Sequence, residues 1–275
     1  MFSRSSLRAA PFIAGALVCA ILFVGVYLFF VRSYMGQLVD ERAFAGADAW
    51  QAGIVDAGRA FLDLLPVLSV GIAAVFSIVL VIVRRNWLVF IAAVTAVAAA
   101  NASTQLLKYL ILARPERGVA DGLSNSLPSG HTTVAASAAL VVYLLAAPRF
   151  RPMVAVIGSS YAVVAGAATL VNQWHRPSDV IAALLVVAFW GCGAGFVLAI
   201  SHAPTVTPAP SRLRALVWIA IGCALVAAIG LVVTYTSALA GSSHLLIAYV
   251  GGLSAIAAVA FALTALGHRV FRALA

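Results

Sequence analysis

Charge is what this sequence has least of. Only 9% of its 275 residues are Asp, Glu, Lys or Arg, where a soluble domain carries about a quarter, and that deficit excludes an ordinary globule in water. Lysine is nearly absent, with Lys108 alone beside sixteen arginines. Cysteine is scarce as well. Cys19, Cys192 and Cys223 sit inside apolar runs, far from any CxxC spacing, which excludes a disulfide framework and a zinc site and leaves them as small core residues. No internal repeat is found. What is abundant is hydrocarbon: 64% of positions are hydrophobic and the mean hydropathy is +1.10. Such a chain belongs in a bilayer.

Crossing about 30 Å of hydrocarbon takes about 20 helical residues. Eight runs qualify, near 10–31, 64–83, 87–112, 131–148, 152–172, 178–200, 214–236 and 245–266. The first reads as a retained helix, being too long and too poorly followed by small residues for a removed leader. The predicted class is therefore all-α, a polytopic membrane helix bundle. Residues 1–200 form a six-helix core with an interfacial segment at 32–63, where acids and arginines mix with Phe, Trp and Val in one or two short helices. The Pro-, Ser- and Thr-rich stretch 201–213 reads as a linker, and 214–275 as two trailing helices that add packing or an oligomer contact.

Orientation follows from the arginines, because short cytoplasmic loops carry the positive excess. Threading the runs puts Arg4, Arg8, Arg84, Arg85, Arg149, Arg151, Arg212, Arg214, Arg269 and Arg272 on one side with no carboxylate. All eight acids lie on the other, with seven basic residues including Lys108, Arg114, Arg117 and Arg176. Both termini are thus expected in the cytoplasm of a cell-membrane protein. The +9 net charge reports topology and anionic lipid rather than nucleic acid. On this threading His202 and His268 face the cytoplasm, and His244 is a lone interfacial histidine.

Three polar clusters interrupt the outer ends of helices three to six: KYLILARP (Lys108 to Pro115), PSGH (Pro128 to His131) and HRPSD (His175 to Asp179). Six residues of helix would put Lys108 and Arg114 on one broad face a little under two turns apart, with Pro115 ending the helix at Arg114. Two such cations make a receptacle for something doubly negative. In the second cluster Pro128 stiffens the approach, Ser129 is a favoured N-cap and Gly130 lets a ligand approach the backbone. The amides at that helix start form an anion seat, with His131 on its rim. In the third, Pro177 fits the first helical position, so Asp179 falls third and reaches back over the helix start. A carboxylate on one nitrogen of His175 fixes its tautomer and frees the other as nucleophile or base.

These motifs, in this order and spacing, resemble the three signatures of the type 2 phosphatidic acid phosphatase superfamily, which also holds vanadium haloperoxidases and glucose-6-phosphatase; the similarity runs over about residues 10–200. The resemblance implies a metal-independent phosphohydrolase with no cofactor. It gives His175 the attack on phosphorus through a phosphohistidine, and His131 the protonation of the departing oxygen and activation of water. It has Lys108, Arg114, Ser129 and the Gly130 amide hold the phosphoryl oxygens. Phosphoryl transfer depends chiefly on positioning and on spreading that charge.

One departure stands out. The family's third motif usually begins with Ser-Arg seven residues ahead of the histidine, and the corresponding pair here is taken as Ala167 and Ala168. The expected replacement cation is Arg176, with Arg117 a weaker candidate. A site at the outer ends of membrane helices suits a phospho- or diphospho-lipid, such as a polyprenyl diphosphate, phosphatidic acid or phosphatidylglycerol phosphate. Rival readings are a lipid phosphotransferase, an inactive lipid-binding or transport protein, and a vanadate-binding halide oxidant.

Overall fold

The computed structural model describes residues 4–47, 55–119, 124–201 and 213–272, and all of its regular elements are helical. In chain order these are α1 (Arg4–Val26), α2 (Tyr34–Ala45), α3 (Val55–Arg84), α4 (Trp87–Leu106), α5 (Gly130–Leu145), α6 (Arg151–Val171), α7 (Pro177–Ile200), α8 (Arg214–Leu239) and α9 (Leu245–Arg272). A π-helical turn extends α1 through Tyr27–Val31 and another extends α4 through Leu107–Ile111. The expected all-α membrane bundle is what forms. The predicted linker falls largely on residues 202–212, which lie outside the described residues, as do 48–54 of the interfacial segment.

Seven of these helices are long and apolar enough to cross a membrane. The run predicted at 131–148 forms a 16-residue helix instead, Gly130–Leu145. Its N-terminus is set by the Ser129 cap, and its polypeptide turns extended at Ala146, ahead of Pro148. A short helix suffices there because α5 packs against α3, α4, α6 and α7 and faces protein on most sides. α7 is the most enclosed span, while α1 and α8 are among the least. Val67, Val83 and Trp218 stay more than two-thirds exposed, as suits side chains whose solvent is lipid.

Small residues let helices meet closely where the site is framed. Gly230 of α8 and Gly251 of α9 abut, so that a Cβ on Gly230 would lie 2.8 Å from the Gly251 Cα. Likewise a Cβ on Gly252 would lie 2.7 Å from Cγ of Pro177, the first residue of α7. Close backbone approach of this kind is how helices associate in lipid, which offers no hydrophobic drive between them. The trailing pair therefore packs on the elements that carry polar chemistry: α9 against α2, α6 and α7, and α8 against α2. Arg42 of α2 donates to the Thr234 carbonyl and the Ser237 hydroxyl of α8, each at 3.3 Å. His268, near the end of α9, is buried, and its Nδ1 bonds the Tyr143 hydroxyl at 2.9 Å.

Candidate active site

Two helix starts meet head to head. The Ser129 amide donates to the Asp179 carbonyl at 2.9 Å, joining the PSGH turn to the first turn of α7. Ser129 caps α5 as expected, its hydroxyl accepting from the Thr132 amide at 3.4 Å. The amides of Gly130 and His131 have no partner among the described residues, and a Cβ on Gly130 would meet nothing closer than 3.8 Å. Space and free donors coincide at the head of α5, the arrangement that seats anions.

The third cluster is built by a tight reversal. α6 ends at Val171, Gln173 adopts a left-handed conformation (φ 56°), and the amides of Trp174 and His175 both donate to the Thr169 carbonyl, at 2.9 and 3.2 Å. This closure is a helix C-cap motif, and it presents His175 just before α7. Pro177 occupies the first helical position and Asp179 the third, as read from the sequence. Asp179 Oδ2 is the hub: it accepts from the Arg176 amide at 3.0 Å and the Ser126 hydroxyl at 2.7 Å, and pairs with His175 Nδ1 at 3.2 Å. With Nδ1 engaged, Nε2 of His175 is the nitrogen left for chemistry. His131 lies within electrostatic range of His175 and Lys108, and its ring is 5.1 Å from that of Trp174.

The first cluster differs from expectation. α4 with its π turn ends at Ile111 and Leu112 is extended, so the helix stops three residues before Arg114. Lys108 and Arg114 therefore do not share a helical face. Asn125 stabilises the early exit, its side-chain amide donating to the carbonyls of Lys108, Leu112 and Leu127 at 3.0, 3.3 and 3.1 Å. Lys108 remains half-buried, its ammonium 5.6 Å from the Tyr109 ring centre. Arg114, carried inward on extended backbone, has no exposed side-chain surface, and its Nε, Nη1 and Nη2 are all without a hydrogen-bond partner. Burial and the charge of Arg176 push this guanidinium down from its ordinary value, opposed by Asp40, Asp179 and Glu41.

Arg176 is not a headgroup-facing surface residue. Its side chain is buried, with Nε on Glu41 Oε2 at 2.7 Å, Nη1 on the Ser126 hydroxyl at 3.4 Å and Cζ 4.9 Å from the Phe44 ring centre. Arg117 lies apart and exposed, its Nε on the Arg32 carbonyl at 3.2 Å. Nor does the C-terminal end of α6 supply a cation. With the serine counted seven residues ahead of His175 the motif pair falls on Ala168 and Thr169, and with the arginine there on Ala167 and Ala168.

Several residues of this site escaped the sequence reading. Asp40 and Glu41 arrive on α2 from about 135 positions earlier in the chain. Asp40 Oδ1 accepts from the Ser178 amide at 3.1 Å, Oδ2 from the Ser178 hydroxyl at 2.5 Å, and Oδ2 stands 3.9 Å from Arg114. Ser126 and Asn125 had a legible signal, as polar residues directly before the PSGH turn; the two acids had only their place in an apparently interfacial segment. Among the described residues no three His, Cys, Asp or Glu side chains converge as a metal site.

No curated protein and no solved structure matches the chain. The model of the PAP2 superfamily matches residues 89–201, a narrower span than the resemblance suggested, running from the first turn of α4 to the end of α7. That span holds all three polar clusters and the helix ends that bring the second and third together, so it is over residues 89–201 of this membrane-helix chain that the match to the PAP2 superfamily lies.

Proposed function

We propose that the protein is an integral membrane lipid phosphatase that removes a phosphate from a phospho- or diphospho-lipid headgroup through a phosphohistidine on His175. The observation that carries this reading is Arg114: three buried, unpartnered guanidinium nitrogens beside the head of a helix whose Asp179 holds a histidine. Buried guanidinium donors left without hydrogen-bond partners are costly, and a phosphoryl group is the anion whose oxygens match a guanidinium fork.

Nε2 of His175 attacks phosphorus, an N–P bond forming as the bond to the lipid oxygen breaks, and His131 gives that oxygen its proton. His131 then takes a proton from water, whose oxygen attacks phosphorus and breaks the N–P bond. Covalent catalysis divides one hard displacement into two easier ones. Lys108, Arg114, the Ser129 hydroxyl and the Gly130 amide hold the oxygens. Arg176 turns from Glu41 toward the phosphate as a third cation. The arginine distribution supports an extracytoplasmic site, where the chains of a polyprenyl diphosphate or phospholipid phosphate stay in lipid while the headgroup enters.

The test is phosphate release by protein purified in detergent with EDTA, offered prenyl diphosphate, phosphatidic acid and phosphatidylglycerol phosphate. His175→Ala should release none; equal release by that variant overturns the assignment. Transfer of the phosphate to a second lipid, with none set free, would mark a phosphotransferase.

A further inference from the structure

Asp40 takes no part in the phosphohistidine reaction, yet it stands beside the group that would hold the phosphoryl oxygens. It comes from α2, outside the matched family span, and it is buried. Its two bonds to Ser178 pin the second residue of α7, and at 3.9 Å it is too far from Arg114 for a hydrogen bond. Arg114 thus has a counter-charge without a partner, and its donors stay free.

The groups facing Asp40 are Asp179 and Ser178 of α7, Arg176 at its cap, and Arg114 on the segment after α4, with Glu41 next to it on α2. Counting full charges, three carboxylates (Asp40, Glu41, Asp179) meet two guanidinium groups (Arg114, Arg176). A phosphoryl group entering this enclosure adds negative charge where the acids already exceed the arginines, and like charges at close range in low dielectric disfavour ionisation. Of the three acids, Glu41 keeps about a fifth of its side chain exposed, where solvent screens its charge, and Asp179 is held by His175 and two further donors.

We infer that Asp40 is a positioning residue for phosphate, a counter-ion to Arg114 that takes one proton from solvent when a phosphoryl group binds Arg114 and returns it when phosphate leaves. The inference rests on the reading that Arg114 receives the phosphoryl group. Burial and the negative charge of Asp179 push Asp40 up to about 7, against the pull of Ser178, Arg114 and Arg176, so the free site is poised for this exchange near neutrality. Protonation also leaves the Ser178 amide bond intact, since the carbonyl oxygen of a carboxylic acid still accepts.

Inorganic vanadate is the probe, its affinity measured for the full chain in detergent from about pH 5.5 to about pH 9. Wild type should weaken by up to about tenfold per pH unit above about pH 7. Asp40→Asn, which fixes the neutral form, should lack that limb and bind more tightly than wild type at the alkaline end. Ser178→Ala removes a hydroxyl that favours the carboxylate, and should move the limb to higher pH. If Asp40→Asn retains the wild-type limb, the inference is overturned, because a purely structural role would lower stability without moving the profile. Should that variant fail to fold, Ser178→Ala decides, and an unshifted limb overturns the inference. Failure of wild type to bind vanadate at any pH would overturn the phosphate site itself, and this inference with it.

Discussion

Replacing Arg176 by alanine separates catalysis from packing at this site. The side chain makes one short charge-assisted bond to Glu41, one long bond to Ser126 and a stack on Phe44. A hydrogen bond to a charged group is worth about 1.5–3 kcal/mol where it is enclosed, and a cation over an aromatic face about 0.5–2 kcal/mol. Glu41 keeps about a fifth of its side chain exposed, so solvent recovers part of its charge and the expected loss of stability is roughly 2 kcal/mol. As the third phosphate cation Arg176 would add about 3–4 kcal/mol of transition-state stabilisation, by analogy with an oxyanion donor, or roughly 100- to 1000-fold in kcat/KM. Glu41→Gln is the control. It weakens the same bond and costs about 1 kcal/mol of stability, but leaves the guanidinium in place and freer to turn, so kcat/KM should hold or rise. Phosphate release and thermal unfolding are measured on both variants. Near-normal turnover by Arg176→Ala, with only the stability loss, would refute a role for Arg176 on the phosphate.

Asp179→Asn should lower kcat by roughly 1000- to 10000-fold by disturbing the His175 tautomer, as amide-for-carboxylate exchange does in a histidine–carboxylate pair, with bound vanadate retained; a loss under tenfold would deny Asp179 its orienting role. Asp40 is raised from 3.8 to about 7 in the folded protein, so the stability it contributes is complete below about pH 4 and is lost as pH rises through about 7. Unfolding temperatures of Asp40→Asn should therefore gain on wild type between pH 5 and 8 by the equivalent of a few kcal/mol, and a difference independent of pH would contradict this. Gly252→Val should cost about 1–3 kcal/mol, because its Cβ falls 2.7 Å from Pro177 and 3.3 Å from Ala43. Turnover should drop with it as the head of α7 shifts, and a fully active, fully stable variant would deny α9 its bracing role.

Local chemistry carried far in this chain. Ser129 as a cap, Pro177 at the first helical position and Asp179 at the third depend on residues within one turn, and the structure places them where the sequence reading did. The end of α4 did not follow from Pro115, because Asn125 captures the carbonyls of Lys108 and Leu112, and a bond across 13 or more residues has no periodicity to betray it. The 16-residue α5 was overextended by hydropathy, since apolarity cannot tell lipid from a protein interior.

The sequence by itself determined that the chain is a helical membrane protein and which three short motifs set polar groups at the helix ends, because hydrophobic length and helix-start preferences act through neighbours. Only the tertiary structure decided that Arg114 is buried without a partner, that Arg176 is held by Glu41, and that Asp40 stands between Arg114 and the head of α7. Charges distant in sequence become coupled only when packing removes the water between them, and no single stretch of this sequence records which helix will do so.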